Sequence, residues 1–339
     1  PATAPLPTGN KRKITETMNT LRNIFFALFV LTVTLAGCKK DSETTQNESE
    51  NNDIQLKNGY LVFKDSATFN DHINWIRQNE TNPEIIYQFN KNLGFESFSE
   101  VYDKGMRIAD PVEFDNYRTK NPDCFKKIIL EDNSEFWEMP MPSLKSYLSD
   151  KHGVYKIKST LFRLTEKAVF STTDEAKFTV LINSLLASTD TKIKCEVNPQ
   201  LSTLKDEQIS YRTVYFPGWS DRRIVARLYH GWDGNNNYDA RTTSQQKNWT
   251  GAWVYAKIPE LIQSNKEGYY RMEWLGQLST PISIPPTYDR KLDHDNFRRT
   301  LVDGAVLPIS TPNSSCLVTH YGQRYGNIAQ IIDNQLFAD

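Results

Sequence analysis

The sequence predicts an α+β protein, with an N-terminal α+β domain followed by a mainly antiparallel, sandwich-like β domain. Helical spacing of apolar residues is confined to the first part of the chain, alternating segments dominate after Pro199, and Pro, Gly and Asn separate those segments. Alternation bounded by turn residues is typical of short strands. We place the boundary near residue 200, between domains at residues 58–200 and 201–339.

The first domain opens with a strand and a helix. Residues 60–63 are a short run of β-forming side chains. Asp65 or Ser66 is suited to cap the next helix, because a side-chain oxygen there accepts hydrogen bonds from free amides of the first turn. The predicted helix carries apolar residues at helical spacing, namely Phe69, Ile73 and Ile76.

A hairpin and a second helix follow. Residues 153–158 and 161–164 alternate and are joined by Ser159-Thr160, which predicts a hairpin. Downstream, Thr172-Thr173-Asp174-Glu175 has the pattern of a capping box. The helix predicted after it has an apolar stripe at Phe178, Leu181, Ile182 and Leu185.

The second domain is predicted to consist of strands. Alternating segments lie at residues 222–230, 253–258, 269–275 and 317–321. In the first of them, Ile224, Ala226 and Leu228 share one face, and Arg223, Arg227 and Tyr229 share the other. This pattern predicts a half-buried antiparallel strand.

An apolar run ends in a small-residue motif near the N-terminus. Residues 24–35 follow Arg22 and lead into Leu35-Ala36-Gly37-Cys38. The run is shorter than the ~20 residues of a membrane-spanning helix and is typical of a secretory signal. The motif resembles the lipobox of bacterial lipoproteins. This resemblance implies that Cys38 becomes the mature N-terminus and is lipidated, so that a lipid anchor tethers the protein to a membrane.

The segments around this signal have distinct compositions. Residues 1–17 suit neither a signal nor a folded segment, and we predict an upstream extension that is not native. The signal peptide then covers residues 18–37 and begins at Met18. Residues 38–57 are predicted to be a flexible tether, because they are mostly polar and cannot form a core.

The net charge of the processed chain indicates which classes of partner are excluded. Without residues 1–37, which hold four basic and one acidic side chain, the net charge changes from −1 to −4. This negative charge argues against a nucleic-acid partner.

Residues 38–43 resemble the Lys-then-acidic export signal of Bacteroidetes surface lipoproteins, with Ser42 interrupting the acidic pair. The resemblance implies an outer-membrane lipoprotein exposed at the cell surface; a periplasm-facing lipoprotein is the alternative.

Four segments carry apolar and turn landmarks, at residues 60–69, 93–98, 144–157 and 161–165. Together they resemble a group of uncharacterised Bacteroidetes surface-type lipoproteins that contain a domain of unknown function. Ser159-Thr160 stands where those chains have a Gly-Asp turn, and Phe162 stands where they have Tyr. The resemblance implies a shared architecture and transfers no catalytic residue.

Three cysteines remain besides the lipidated one, namely Cys124, Cys195 and Cys316. An exported protein meets an oxidising compartment, so a disulfide between two of them is possible. A buried thiol at Cys195 is the alternative, because this residue lies on the apolar face of a predicted strand. No metal-ligand spacing of Cys or His is present, and we predict no metal and no cofactor.

No known catalytic motif occurs in the chain. Nucleophile elbow, HExxH, phosphate loop and dinucleotide fingerprint are all missing from the sequence. Residues 233–239 begin like a calcium loop, but Tyr238 stands where the sharp turn needs Gly, so we predict a plain loop. Three carboxylates with polar or aromatic neighbours in the sequence are candidates for acid and base chemistry, namely Glu273, Asp293 and Asp295.

Tryptophan and tyrosine are concentrated in the second domain. Trp219, Trp232 and Trp249 lie among Gly, Asn and Ser, which predicts loops, whereas Trp253 and Trp274 lie on predicted strands and are expected in the core. Exposed rings stack on sugars or anchor protein partners. The alternative is that all of these rings belong to a β core, in which Trp and Tyr are common.

These observations predict a lipid-anchored cell-surface protein that binds a glycan or a surface protein without catalysis, or that has a structural role. The alternative is a hydrolase of polysaccharide or peptide that uses the dispersed carboxylates. A third hypothesis is a subunit of an envelope or adhesive assembly with an exposed sheet edge. The degree of burial of the loop tryptophans distinguishes the two interpretations: exposed rings indicate a stacking surface, and buried rings indicate an ordinary core.

Overall fold

The computed structural model describes residues 53–141, 143–183, 190–197, 209–232, 236–265, 268–274, 277–305 and 316–333. The side chains of residues 209–210, 230–232, 236, 273–274, 303–305 and 332–333 are outside this description. The predicted extension, the signal peptide, Cys38 and most of the tether also lie outside the described residues. Among the helices that are described, none is long and apolar enough to be a candidate membrane span.

The helices among the described residues all lie in the first part of the chain. The α-helices are Ser66–Asn79 (α1), Pro83–Asn92 (α2), Phe98–Met106 (α3), Pro111–Lys120 (α4) and Phe178–Ile182 (α5). Short 3-10 turns are Pro122–Cys124, Leu144–Tyr147 and Glu175–Lys177.

The strands of the first part are Ile54–Lys57 (β1), Tyr60–Phe63 (β2), Lys126–Ile129 (β3), Glu135–Glu138 (β4), Val154–Ile157 (β5), Thr160–Leu164 (β6), Ala168–Thr172 (β7) and Lys194–Val197 (β8). The longer strands of the second part are Ile209–Tyr215 (β9), Arg222–Trp232 (β10), Asn236–Lys247 (β11), Ile258–Asn265 (β13), Thr287–His294 (β18), Asn296–Ala305 (β19), Val318–Arg324 (β20) and Asn327–Asp333 (β21). The shorter ones are Trp253–Tyr255 (β12), Gly268–Tyr270 (β14), Glu273–Trp274 (β15), Gln277–Leu278 (β16) and Ile282–Ile284 (β17). The mixed α+β class is confirmed, and β structure predominates.

A six-stranded sheet organises the first part, in the order β1-β2-β5-β6-β7-β8. Strands β2 and β5 are parallel, and the other neighbours are antiparallel. Alternate residues of β2 pack into two hydrophobic cores, one on each face of the sheet. Phe63 packs with the α1 residues Phe69 and Ile76, and Tyr60 packs with Leu181 of α5. Helices therefore cover both faces of this sheet.

The first predicted elements are confirmed with small differences. Asp65 caps α1, and its carboxylate accepts a hydrogen bond from the Thr68 amide at 2.8 Å. Residues 54–57, predicted as the end of the tether, form β1 instead because their backbone pairs with β2.

The second predicted helix begins later than its capping box suggests. Thr172 is the last residue of β7 and pairs with Leu161, so the cap moves to Asp174, which accepts a hydrogen bond from the Ala176 amide. A 3-10 turn and the short α5 follow, and Leu185 lies outside the described residues. The predicted hairpin is present as β5 and β6.

Besides the two-stranded pairs β14-β17 and β15-β16, the described second part has two larger sheets. One has the order β12-β11-β10-β9, with β19 also paired to β11, and the other has the order β18-β13-β20-β21. They share a core in which Ile224 and Ala226 of the first sheet meet Leu261 and Ile331 of the second. The predicted boundary near residue 200 falls in residues 198–208, which are not described.

The prediction that β10 is half-buried is wrong. Arg223 and Arg227 are as buried as the apolar residues on the opposite face of the strand. The β3–β4 hairpin covers this face, and its Leu130 and Phe136 contact Val225 between the two arginines. Acidic side chains from the first part neutralise the arginines, so the alternation of β10 separates two buried surfaces rather than core from solvent.

The three cysteines of the described chain, Cys124, Cys195 and Cys316, are free thiols. Cys124 and Cys316 are buried, and Cys195 is half-buried. Burial raises the pKa of the Cys316 thiol to about 11, which keeps it protonated at neutral pH.

Candidate functional site

A cleft of about 500 Å³ lies between the first and second parts of the described chain. One wall is formed by α4, the loop before it and the β3–β4 hairpin. The other wall is formed by the end of β11, by β12 and by the loop that joins them. Clefts of this size suit small organic ligands or a few sugar units.

Aromatic rings line the first wall. Trp137 of β4 and Phe114 of α4 meet edge to face, with ring centroids 5.8 Å apart. The Arg118 guanidinium carbon lies 4.4 Å from the centroid of Trp137. Because both neighbours restrict the indole ring, Trp137 presents a fixed apolar surface to the cleft.

Trp253 lines the second wall. The sequence predicted this residue in the core, but it is only half-buried because β12 is a short strand at the edge of its sheet. The Arg223 guanidinium carbon lies 3.9 Å from its centroid, and the Lys247 ammonium nitrogen lies 5.1 Å from it. Trp253 is therefore held from the protein side by a buried cation.

Trp249 stands in the loop between β11 and β12 and is 83 % exposed, more than any other large hydrophobic side chain of the described residues. Its neighbours Asn248 and Thr250 both line the cleft. The loop predicted at Trp249 is present, and of the two alternatives for its ring, exposure or burial in a β core, the structure shows exposure. The Trp249 ring is not itself among the lining residues; it stands in solvent on the loop whose Asn248 and Thr250 line the cleft.

The loop that carries Trp249 is held in a defined shape by Asn248. The Asn248 side-chain oxygen accepts hydrogen bonds from the amides of Thr250 and Ala252 at 3.0 and 2.9 Å. Gly251 has a φ of +87°, which a residue with a side chain rarely adopts. The Asn248 side-chain amide donates to the Ala109 carbonyl just before α4. The loop is therefore braced against the opposite wall.

Polar groups bridge the two walls behind the cleft. Arg223 donates through Nε to the Gln245 side-chain oxygen at 3.0 Å and through Nη1 to the Ser134 hydroxyl. Asp132 of the hairpin turn faces the same guanidinium at 3.4 Å. Burial opposes its ionisation, but hydrogen bonds from Ser134 and Tyr215 lower the pKa of Asp132 to about 2. Arg223 thus joins Gln245 of one wall to Ser134 and Asp132 of the other.

Of the other two tryptophans predicted in loops as ligand contacts, Trp232 is instead the last residue of strand β10, so the prediction of a loop is wrong there. Trp219 is half-buried, packs beside the core shared by the two sheets of the second part, and has the Arg222 guanidinium carbon 4.7 Å from its centroid. It is not among the residues that line the cleft. The Trp232 and Trp274 side chains lie outside the described residues.

Neither of the candidate carboxylates whose side chains are described, Asp293 and Asp295, lines this cleft. Asp295 is buried and accepts two hydrogen bonds from Arg107, at 2.9 and 3.1 Å. Asp293 points into solvent, with its side chain 82 % exposed. The Glu273 side chain lies outside the described residues. Asp295 therefore serves to join α3 to the second part of the chain.

Several lining residues were not predicted from the sequence, notably Phe114, Trp137, Gln245 and Lys247. They belong to segments more than a hundred residues apart, and their local patterns are those of ordinary helices and strands. The only local signal was Trp249 itself, with Asn, Thr and Gly beside it. In the described part of the chain, no group of three or more His, Cys, Asp or Glu residues is arranged to hold a metal ion.

Fold and site together define a mixed α+β protein, mainly β, with an aromatic cleft between its two parts. The chain matches no protein-family model and no curated protein. A structural neighbour is a DUF4848 family protein from Bacteroides thetaiotaomicron VPI-5482, whose crystal structure matches with a TM-score of 0.27 and 17% sequence identity. The match covers 83% of this chain and 100% of that one. A TM-score this low supports no argument about function.

Proposed function

We propose that this protein is a non-catalytic glycan-binding lipoprotein, anchored in the outer membrane through Cys38 and exposed at the cell surface. The observation that carries the binding role is the exposed Trp249 on a braced loop at a cleft lined by Phe114, Trp137 and Trp253. Flat rings stack on the apolar faces of sugars, and hydroxyl groups need polar partners beside those rings.

The composition of the cleft favours a sugar over a purely apolar ligand. The Thr250 hydroxyl, which donates to Asn248, keeps its lone pairs for a ligand on the wall that carries Trp253. Ser134 and Asn248 add polar surface, although they also hold Arg223 and the loop. The bracing of the loop by Asn248 supports tight binding, because a loop already held in shape loses little conformational entropy when a ligand binds. A flat protein partner would fit the narrow space between the walls less well.

The anchoring role rests on the sequence of the N-terminal segment. The apolar run, the small-residue motif and Cys38 have the order of a lipoprotein signal, and the polar residues after Cys38 suit a tether. A cleft carried by a tethered body at the cell surface would meet extracellular glycans. The alternative is a lipoprotein that faces the periplasm.

Replacing Trp249 with alanine is expected to weaken glycan binding about tenfold or more, since an exposed aromatic anchor contributes roughly 1.5–2 kcal/mol to binding. The measurement is a glycan array of the protein, followed by calorimetry with the sugars that bind. Circular dichroism should show unchanged folding, because the removed ring has few protein contacts.

Tyr288→Ala is the matched control for this variant. Tyr288 is an exposed aromatic residue on β18, outside the cleft, and its loss should leave the affinity unchanged. Binding of no glycan by the protein, or equal affinities for Trp249→Ala and the unchanged chain, would refute the proposed function. Capture of a protein ligand through Trp249 in place of any sugar would also refute it.

Lipidation is expected to give the N-terminal peptide of the purified protein a mass that includes acyl chains on Cys38. A Cys38→Ala variant should lose this mass and move from the membrane fraction to the soluble fraction. Protease treatment of intact cells should digest the unchanged protein if it faces outward. An unmodified Cys38 with an uncleaved leader would contradict the anchor.

A further inference from the structure

The charges around the cleft are not balanced. Three charged side chains line it, namely Asp115, Glu135 and Lys247. Asp115 pairs with Arg118 at 3.1 Å, and Glu135 pairs with Lys127 across the β3–β4 hairpin. Within the part of the chain that the structure describes, Lys247 has no carboxylate at ion-pair distance. Both negative charges are thus compensated and the positive charge is not.

Lys247 is positioned where a ligand can reach it. It is the last residue of β11, and its backbone amide donates to the Asp221 carbonyl at 2.9 Å, which fixes the end of the strand. Its side chain is exposed, with the ammonium 5.1 Å from the Trp253 centroid. Trp249 follows two residues later. The free cation therefore precedes both Trp249 and Trp253 along the chain and lies beside the Trp253 ring.

Gln245 adds an unused donor on the same side of the strand. Residues two positions apart in a strand point to the same face, so Gln245 and Lys247 stand about 7 Å apart along one wall. The Gln245 oxygen accepts from Arg223, but its amide nitrogen Nε2 has no hydrogen-bond partner in the described structure. Buried polar groups without a partner are uncommon in proteins.

We propose that the ligand of this cleft is an acidic glycan, whose carboxylate or sulfate pairs with Lys247 while its ring stacks on Trp249. This inference rests on the proposed function. An anionic group supplies the counter-charge that Lys247 lacks, and ion-assisted hydrogen bonds are stronger than neutral ones. An adjacent oxygen of the ligand accepts from Gln245 once the side chains adjust to it. A neutral sugar leaves the ammonium without a counter-charge.

The test compares matched acidic and neutral oligosaccharides on the unchanged protein and on a Lys247→Met variant. The carboxylate probes are oligogalacturonates and their methyl esters, and the sulfate probes are chondroitin sulfate oligosaccharides and their desulfated forms. Methionine keeps the length of the side chain and removes its charge. We expect acidic probes of at least one source to bind tenfold or more tighter than their neutral forms, and Lys247→Met to abolish this preference.

Lys257→Met is the control, because Lys257 is exposed outside the cleft and faces Asp293 at 3.9 Å. It should keep the preference for acidic probes, and raising the salt concentration should reduce that preference in both proteins that retain Lys247. Preference for carboxylate alone or for sulfate alone supports the proposal and identifies the anion.

Two results separate failure of this inference from failure of the proposed function. Neutral and acidic probes that bind equally, with Trp249→Ala weakening both and Lys247→Met weakening neither, would overturn the acidic ligand and leave glycan binding intact. Binding of no probe and of no other glycan would overturn both proposals.

Discussion

Replacing Arg227 with methionine is expected to lower the free energy of unfolding by about 3–5 kcal/mol. The Arg227 side chain is 2% exposed and pairs with Asp239 at 2.6 Å and with Glu138. Both carboxylates are themselves 3% exposed. Removing the arginine leaves two negative charges in a place that water does not reach, and the cost of such charges is far larger than that of a lost surface ion pair.

The other contacts of this cluster do not compensate for the loss. Glu138 also accepts hydrogen bonds from the Tyr211 hydroxyl and the Met139 amide, both at 3.0 Å, but these donors are neutral. Methionine occupies a volume similar to that of the arginine stem, so the expected effect comes from charge rather than from a cavity. Adding Glu138→Gln to the variant should therefore recover part of the lost stability.

Urea unfolding at neutral pH measures this effect, with Arg212→Met as the matched control. Arg212 lies on the neighbouring strand β9, pairs with Glu131 and is about half exposed, and its loss should cost no more than about 1 kcal/mol. Equal midpoints for the two variants would contradict a stabilising role of the buried cluster.

Lowering the pH from 7 to 4.5 is expected to destabilise the protein through two buried histidines. Burial lowers the pKa of His72 to about 4 and that of His320 to about 3, whereas an unfolded histidine titrates near its ordinary value of 6.5. The unfolded chain therefore takes up protons first. Stability is complete above pH 6.5 and falls as the pH approaches the folded pKa values, by about 2.5 kcal/mol for each ring at pH 4.5.

His72→Phe is the variant that isolates one of these rings. His72 packs among Trp75, Phe89 and Phe63 at centroid distances of 5.0, 4.7 and 6.1 Å, and its Nε2 atom has no hydrogen-bond partner among the described residues. Phenylalanine fits this aromatic cluster without a group to protonate. The loss of stability between pH 7 and pH 4.5 should be about 2.5 kcal/mol smaller in the variant.

Unfolding curves at the two pH values test this expectation. Phe89→Leu serves as the control, since it removes packing from the same cluster and should lower stability equally at both pH values. Buried carboxyls such as Glu80 and Asp150, whose pKa is raised by burial, act in the opposite direction and are common to every variant. An unchanged pH difference in His72→Phe would show that His72 does not control the acid response.

The sequence predicted what is encoded locally. The Asp65 cap and the apolar spacing of α1 depend on residues within one or two turns of each other, and the β5–β6 hairpin depends on neighbouring strands. In each case, the atoms that stabilise the element lie close together in the chain. Trp249 was found for the same reason, because the residues that shape its loop are its immediate neighbours.

The prediction failed where the partner of a residue is distant. Alternation in β10 correctly separated two faces, but an exposed arginine and a buried one give the same pattern. Glu138, which neutralises Arg227, lies 89 residues earlier in the chain. The cleft could not be predicted for the same reason. Trp137 and Trp253 each belong to an ordinary strand, and they line opposite walls only because the hairpin packs against the β part.

Because the Trp249 loop is braced against the residue before α4, the proposed glycan binding would be a property of the entire body of the protein. A fragment that ends before β9 contains only the hairpin wall, and a fragment that begins there contains only the tryptophan loop. Neither half is expected to retain sugar, so truncation libraries would miss the ligand. Under the proposed function, retention on an immobilised glycan would report completed folding and would select correctly assembled molecules during purification.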